Sequence, residues 1–178
     1  MTLLGVDELL RLVREQGLVT GLSDRELTNP EGSGFDLRLG EVHTIQGEAF
    51  LGVSERNTPQ AELVAQYGRD KSYTLKPGQY VLTKTIEEVN LPLDIAAYTN
   101  TRSTLFRSGV LLLGTQIAPG YKGALIYGLK NLGESNVTLE MGARVVHLHF
   151  HRITGQGSAY RGQWKDGRVT THGTETQV

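Results

Sequence analysis

Beyond its N-terminal segment, the chain consists of short runs rich in β-branched, aromatic and aliphatic residues, and each run is bounded by Gly, Pro or Asn. Runs of this length and composition are typical of β-strands. Strands are predicted at residues 35–39, 80–85, 110–113, 124–129, 137–139 and 144–150. With 22 glycines available for the turns between them, these strands predict a mainly β fold, a sandwich or a barrel-like domain.

One amphipathic helix is predicted at the N-terminus. Apolar residues recur there at helical spacing, at Val6, Leu9, Leu10 and Val13. Acidic residues occupy its first turn, and Gly17 stands where a glycine commonly ends a helix. The segment 59–67 is ambiguous: Leu63, Val64 and Tyr67 could share one face of a short helix, or the segment could be an ordered loop.

The length of 178 residues fits one domain with its own core. We expect the β domain to span residues 1–155. From 156 to 178 the composition becomes polar, glycine-rich and charged, and Trp164 is the largest apolar side chain. This last segment is therefore predicted to be a flexible tail of the same domain.

Charge and composition exclude several classes of function. A net charge of −1 argues against a protein that binds nucleic acid through its overall electrostatics, so a basic site must be local. The chain has no cysteine, which excludes disulfides, thiolate metal sites and a cysteine nucleophile. No apolar stretch approaches membrane-spanning length. We expect a cytoplasmic protein with neither a membrane nor a nucleic-acid partner.

The central part of the chain is cationic and has no acid. Residues 95–133 contain no Asp or Glu, whereas Arg102, Arg107, Lys122 and Lys130 all carry positive charge. Such a stretch suits a polyanionic ligand. Hydrolytic chemistry usually needs a carboxylate or a histidine to move protons. The pattern therefore favours binding of an anion over catalysis.

Four short motifs follow one another along the chain. They are the segment 29–40 ending in Asp-Leu-Arg-Leu-Gly, the pair 75–78 and 82–92, the Arg-Ser-x-x-x-Arg of 102–107, and the Tyr-x-Gly-Gln of 160–163. In this order and spacing they resemble the dCTP deaminase branch of the deaminase and dUTPase superfamily. Arg107 and the pair Pro119 and Gly120 favour that branch over the dUTPase branch.

The resemblance implies a distorted β-barrel or jelly-roll protomer with an N-terminal helix, assembled into a homotrimer with nucleotide sites between subunits. The family reaction is deamination of dCTP to dUTP, a hydrolytic step of pyrimidine deoxynucleotide metabolism. Arg102 and Ser103 would hold phosphate oxygens, and Arg107 would reach the triphosphate from a neighbouring chain. The tail around Tyr160 and Gln163 would close over the ligand. Mg²⁺ could accompany the triphosphate; no other cofactor is implied.

Two positions depart from the family pattern. The family places an Asp after the isoleucine that corresponds to Ile117, where this chain has Ala118. It also places a proton-shuttling Glu at the position of Gly128. Loss of a positioned acid or base typically costs about a hundred- to ten-thousand-fold in rate. We therefore expect little deamination or diphosphatase activity, and a larger pocket where Gly128 removes a side chain.

Three readings of function remain open. An active deaminase or dUTP diphosphatase could use a substitute acid from a neighbouring subunit, such as Asp94, Glu134 or Glu140. A regulatory trimer could sense a nucleotide without turnover. A structural trimer could have lost ligand binding as well, with Arg102 and Arg107 satisfying carbonyls or carboxylates.

Other chemically suggestive residues have plain structural interpretations beside the functional ones. His147, His149 and His151 alternate along a predicted strand and share one face, which suits either a metal site or a polar strand. Asp36 and Arg38 are expected at the edge of the core. Acidic residues near the strand 80–85 are expected on the solvated surface, namely Glu87, Glu88 and Asp94. Trp164 could stack on a base or belong to the mobile tail.

Overall fold

A computed structural model describes residues 2–177 and is dominated by antiparallel β-strands. The strands are β1 (Thr2–Leu3), β2 (Val19–Thr20), β3 (Gly34–Gln46), β4 (Phe50–Leu51), β5 (Glu55–Asn57), β6 (Gln60–Gln66), β7 (Ser72–Leu75), β8 (Tyr80–Asn90), β9 (Ile95–Thr101), β10 (Val110–Leu113), β11 (Lys122–Asn131), β12 (Val137–Glu140), β13 (Arg144–Arg152) and β14 (Glu175–Thr176). The helices are α1 (Val6–Gln16), α2 (Asp24–Thr28) and α3 (Ser103–Arg107), and a 3₁₀ turn spans Lys165–Gly167. The predicted mainly β fold class is confirmed.

The described strands form one large curled sheet and two small ones. The large sheet has the order β1-β13-β3-β8-β11-β10, and β2, β6 and β9 pair with β8, β3 and β13 respectively. Its inner face carries the core, with Phe35, Leu39, Leu129, Leu148 and Phe150 fully buried. No helix among residues 2–177 has both the length and the apolarity needed to cross a membrane.

Helix α1 forms where its periodicity predicts it. Leu9 and Leu12 are buried against the sheet, and Asp7 and Glu8 lie in the first turn. Gly17 adopts φ 63° and ends the helix, with its N–H donating to the carbonyl of Val13. A residue with a side chain would be strained at this left-handed position, so the glycine decides where the helix stops.

The segment 59–67 is neither a helix nor a loop. Residues Gln60–Gln66 form strand β6, which pairs with β3 through contacts such as Val42↔Ala65. Leu63 and Tyr67 are exposed, so no apolar face exists to bury a helix. The free edge of β3 instead satisfies the backbone of this segment. The helical interpretation is therefore wrong, because three apolar residues at mixed spacing do not distinguish the two structures.

Strand β8 buries alternate residues, and this period of two places Glu87 in the interior. Glu87 is fully buried, so its expected position on the solvated surface is wrong. Its carboxylate accepts hydrogen bonds from the Arg38 backbone N–H at 2.8 Å and from Arg38 Nε at 2.6 Å. Burial raises the pKa of Glu87, and the Arg38 donors oppose that rise only in part. The pair connects β3 to β8 in the interior.

Candidate functional site

A cavity of about 400 Å³ lies beside the part of β11 that β10 leaves unpaired. Strand β10 pairs only with Gly128–Asn131 of β11, and the cavity contacts the preceding residues of that strand. Its aromatic lining consists of Tyr80, Tyr121, Tyr127, Tyr160 and Trp164. Its polar lining consists of Thr58, Thr115, Gln116, Arg168 and Thr170. The size and mixed lining suit a small organic ligand with a planar ring.

The loop between β10 and β11 brings Ala118 to this cavity. Ile117 is anchored to β9, because its backbone N–H donates to the Ala97 carbonyl at 2.8 Å. Gly120 then turns the chain with φ 72°, and the Tyr121 hydroxyl donates to the Ala124 carbonyl at 2.7 Å. The structure thus holds a methyl group at the cavity wall where the resemblance implies an aspartate.

The second departing position, Gly128, is covered by Tyr80. A Cβ atom built on Gly128 would lie 2.4 Å from Tyr80 Oη and 2.7 Å from Tyr80 Cε2. Because the Tyr80 ring fills the space above the glycine, the predicted enlargement of the pocket at Gly128 is wrong. Tyr80 also lines the cavity. Both positions where the resemblance implies an acid therefore bear on the wall of one cavity, Ala118 directly and Gly128 through Tyr80.

Among the described residues that line the cavity there is no Asp, Glu or His, and Arg168 is the only charged one. Three of the tyrosines, Tyr80, Tyr121 and Tyr127, cannot replace a general base at neutral pH. Burial raises the pKa of Tyr121 to about 12 and also raises those of Tyr80 and Tyr127. Their hydroxyls remain protonated, so they can donate hydrogen bonds but cannot accept a proton from water.

The C-terminal tail lies against the cavity. Tyr160 donates its backbone N–H to the Pro119 carbonyl at 2.7 Å, and its ring packs edge-on against Tyr121. The ring of Trp164 contacts the guanidinium groups of Arg56 and Arg168, which lie 4.8 and 5.7 Å from its centroid. These contacts place two aromatic side chains of the tail over the ligand space. Opening and closing of this segment remains a prediction.

Further along the tail, Thr171 is buried and exchanges hydrogen bonds with Thr58, each backbone N–H donating to the other hydroxyl at 2.9 Å. Strand β14 then pairs with β5. Gln163 contributes no lining, and its buried Oε1 has no hydrogen-bond partner among residues 2–177. The contact of Gln163 with a ligand stays a prediction.

The predicted phosphate-binding residues do not line the cavity within one chain. Arg102 Nη1 lies 2.7 Å from Asp36 Oδ2. Ser103 begins the short helix α3 and is exposed. Arg107 is exposed at the end of α3, with its guanidinium 5.6 Å from the Phe106 ring centroid. The sequence motif therefore forms a separate cationic surface beside β9 and β13.

This surface is organised by Asp36, which is 1% exposed. Besides Arg102, the carboxylate accepts hydrogen bonds from Arg144 Nη1 at 2.9 Å and from His147 Nδ1 at 2.7 Å. Burial acts to raise the pKa of Asp36, but the His147 hydrogen bond and the charges of Arg102 and Arg144 outweigh it and lower the pKa. The sequence predicted Asp36 as a structural residue, but it did not indicate these three partners.

We expect Asp36→Asn to lower the free energy of unfolding at neutral pH by about 3 kcal/mol, because it leaves three donors without their carboxylate. Arg102 and Arg144 are partly exposed, which favours the lower end of the usual range. A lowered pKa means that the Asp36 contribution is present above the ordinary value of 3.8 and is lost as the pH falls through the folded-state pKa.

The stability difference between wild type and Asp36→Asn should therefore shrink in acid. Urea unfolding from neutral pH to below pH 3.8 measures it. Asp24→Asn, at an exposed position on α2, serves as the control and should change little. A constant difference across this pH range would contradict the assignment.

The three histidines on β13 each have a partner in this chain. His147 binds Asp36, His149 Nε2 lies 3.0 Å from Asn100 Nδ2, and His151 packs edge-on against Tyr98. No group of three His, Asp or Glu side chains within residues 2–177 has an arrangement that could hold a metal ion. These are contacts expected of polar side chains along a strand.

Comparison with known proteins identifies a matching family model and sequence relatives of this chain. A family model described as dCTP deaminase-like matches residues 3–153. The chain is 30% identical over 152 residues to the dUMP-forming dCTP deaminase of Dictyoglomus turgidum, covering 83% of this chain and 78% of that relative. It is 32% identical over 171 residues to a probable deoxyuridine 5'-triphosphate nucleotidohydrolase of Archaeoglobus fulgidus, covering 95% and 99%.

Among solved structures, the crystal structure of 2'-deoxycytidine 5'-triphosphate deaminase from Agrobacterium tumefaciens superposes with a TM-score of 0.65 at 17% identity. The match covers 84% of this chain, which spans about half (48%) of the length of that protein. At this identity the likeness shows a common fold.

Proposed function

Because the chain belongs to the dCTP deaminase-like family, we propose that it binds a pyrimidine deoxynucleoside triphosphate and converts it slowly or not at all. The relatives carry two different activities in their names, one on dCTP and one on dUTP. These two nucleotides are therefore the ligands to test.

The observation that carries the proposal is the lining of the cavity. Ala118 lies in the wall, Tyr80 covers Gly128, and no described lining residue is an Asp, Glu or His. Deamination and diphosphate hydrolysis both require a group that accepts a proton from water. The tyrosine and threonine hydroxyls of this cavity can orient a nucleoside, but they cannot perform that step at neutral pH.

Binding of the triphosphate is supported by the cationic surface around Arg102. Since Arg102, Ser103 and Arg107 do not line the cavity of their own chain, we propose that they reach the phosphates bound to a neighbouring subunit. Large apolar side chains are exposed on α3, which follows Arg102, and at the β10 end of the sheet; they are Phe106, Leu111, Leu113 and Leu132. A homotrimer would bury this patch.

The test is a product analysis combined with thermal unfolding. Purified protein near stoichiometric concentration is incubated with dCTP or dUTP and Mg²⁺, with the Dictyoglomus turgidum deaminase as the active control. We expect unchanged nucleotide. We also expect stabilisation of about 2.7 kcal/mol when the nucleotide is present at a hundred times its Kd.

The alternatives give different results. Formation of dUTP or dUMP at enzymatic rates would refute the proposal and direct attention to acids outside the cavity, such as Asp94, Glu134 and Glu140. Of these, Asp94 already pairs with Arg152 in the described chain. Unchanged nucleotide without stabilisation would instead indicate a structural oligomer.

A further inference from the structure

The cluster around Asp36 presents more positive than negative charge to solvent. Asp36 is 1% exposed, whereas the side chains of Arg102 and Arg144 are 27% and 36% exposed. Asp36 accepts from one terminal nitrogen of each arginine. A guanidinium carries five N–H donors, so each arginine has further donors for a second oxyanion.

Of the residue types in this cluster, histidine is the one whose side chain ordinarily changes charge near neutral pH, and His147 is the histidine that contacts Asp36. Its Nδ1 lies 2.7 Å from Asp36 Oδ1. Since Asp36 is ionised and can only accept, Nδ1 carries the hydrogen and Nε2 is the atom that takes up a proton. Nε2 lies beside Gly34, where a Cβ atom would approach it to 2.7 Å. Gly34 thus leaves room for the imidazole at this edge of the sheet.

Charged and titratable groups surround this imidazole and the Asp36 carboxylate that it binds. Strand β3 contributes Asp36, and β13 contributes Arg144 together with His149, whose ring centroid lies 4.7 Å away. Arg102 follows β9, and it reaches the same carboxylate. Helix α2 contributes Arg25, 3.8 Å from Asp36, and the buried Glu26, which accepts the Asp36 backbone N–H.

The balance of these charges makes His147 responsive to a bound anion. Asp36 favours the charged imidazole, whereas Arg102, Arg144 and a charged His149 oppose it. A polyphosphate held by the arginines would offset their repulsion and favour protonation of His147. By linkage, protonation of His147 must then favour binding of the polyphosphate to the same extent.

We propose that His147 is a proton-linked member of a polyphosphate site formed with Arg102 and Arg144 and organised by Asp36. The inference rests on the proposed function, because the polyphosphate is the triphosphate group of the nucleotide. It adds residues that the Arg-Ser-x-x-x-Arg motif does not contain. It also makes affinity for the nucleotide depend on pH.

The test measures binding of inorganic tripolyphosphate by calorimetry at about pH 8 and about pH 5.5, on either side of the ordinary titration of histidine. We expect protonation of His147 to contribute about a tenfold gain in wild-type affinity at the lower pH, the effect of one additional charge contact. His147→Gln keeps a donor for Asp36 but cannot titrate, so its pH dependence should be smaller by about that tenfold factor. The dependence of affinity on pH that remains in His147→Gln reflects protonation of tripolyphosphate itself.

His151→Gln is the control on the same strand, since His151 packs against Tyr98 and is not among the groups around Asp36, and it should keep the wild-type dependence of affinity on pH. Should His147→Gln fail to fold, the imidazole NMR signal of His147 in wild type gives the answer, since its titration should move to higher pH with tripolyphosphate. Equal slopes in wild type and His147→Gln, or an unmoved NMR titration, would overturn the inference and leave the proposed function intact. Absence of wild-type binding to tripolyphosphate, dCTP and dUTP alike would overturn both.

Discussion

Replacing Arg102 by alanine is expected to remove nearly all of the stabilisation that dCTP or dUTP confers. Hydrogen bonds to charged groups contribute about 1.5–3 kcal/mol, which corresponds to roughly a hundredfold in Kd near the upper part of that range. At a nucleotide concentration that stabilises wild type by about 2.7 kcal/mol, the variant should gain only about 0.4 kcal/mol. Chemical unfolding with and without nucleotide measures both values.

Arg102 also pairs with Asp36, so the variant will have a lower intrinsic stability. The relevant quantity is therefore the gain on adding nucleotide, taken separately for each protein. Arg11→Ala is the matched control: Arg11 is an exposed arginine of α1 that pairs with Glu8 and Glu15. A full nucleotide response in Arg102→Ala would show that the arginine is structural.

Placing acids at the two positions where the resemblance implies them is expected to raise turnover of dCTP at least about a hundredfold above wild type, because one positioned acid or base typically supplies that much. The substitutions are Ala118→Asp and Gly128→Glu. Gly128→Glu requires Tyr80→Ala as well, since a Cβ at position 128 would lie 2.4 Å from Tyr80 Oη. Product analysis by chromatography measures dUTP and dUMP formation.

The amide version of the same triple variant, with Ala118→Asn and Gly128→Gln, controls for changes in shape. It should remain as inactive as wild type. Gly128→Glu in the presence of Tyr80 should be less stable than the same substitution with Tyr80→Ala, because only the former forces the ring to move. Equal rates in the acid and amide variants would contradict the prediction that acids at these two positions are sufficient for turnover.

The candidate site could be predicted from the sequence only in outline. The acid-free segment 95–133 and the residues Ala118 and Gly128 indicated a binding site without a proton acceptor. The described lining of the cavity agrees with that interpretation at Ala118. The space over Gly128 could not be predicted, because its contents depend on Tyr80, which reaches it across the β8–β11 pair.

The partners of the buried carboxylates also could not be predicted from the sequence. Glu87 and Asp36 are ordinary acidic residues in the sequence, and the interior position of Glu87 follows from the period of two along β8. Their partners come from distant parts of the chain: Arg38 for Glu87, and Arg102 and His147 for Asp36. No local pattern reports which charges will meet, because that depends on the register of β3 against β8 and β13.

The sequence by itself determined the elements whose signals are local. Helix α1 follows from its apolar period and from Gly17, and the strands follow from short β-rich runs between turn residues. The order of four motifs also determined the family, since each motif lies within a few consecutive residues. Strand β6 was not determined locally, because its backbone forms a strand only against the edge of β3. The tertiary structure alone decided that Tyr80 covers Gly128 and that Asp36 joins Arg102, Arg144 and His147, since such contacts arise only when strands distant in sequence pair in one register.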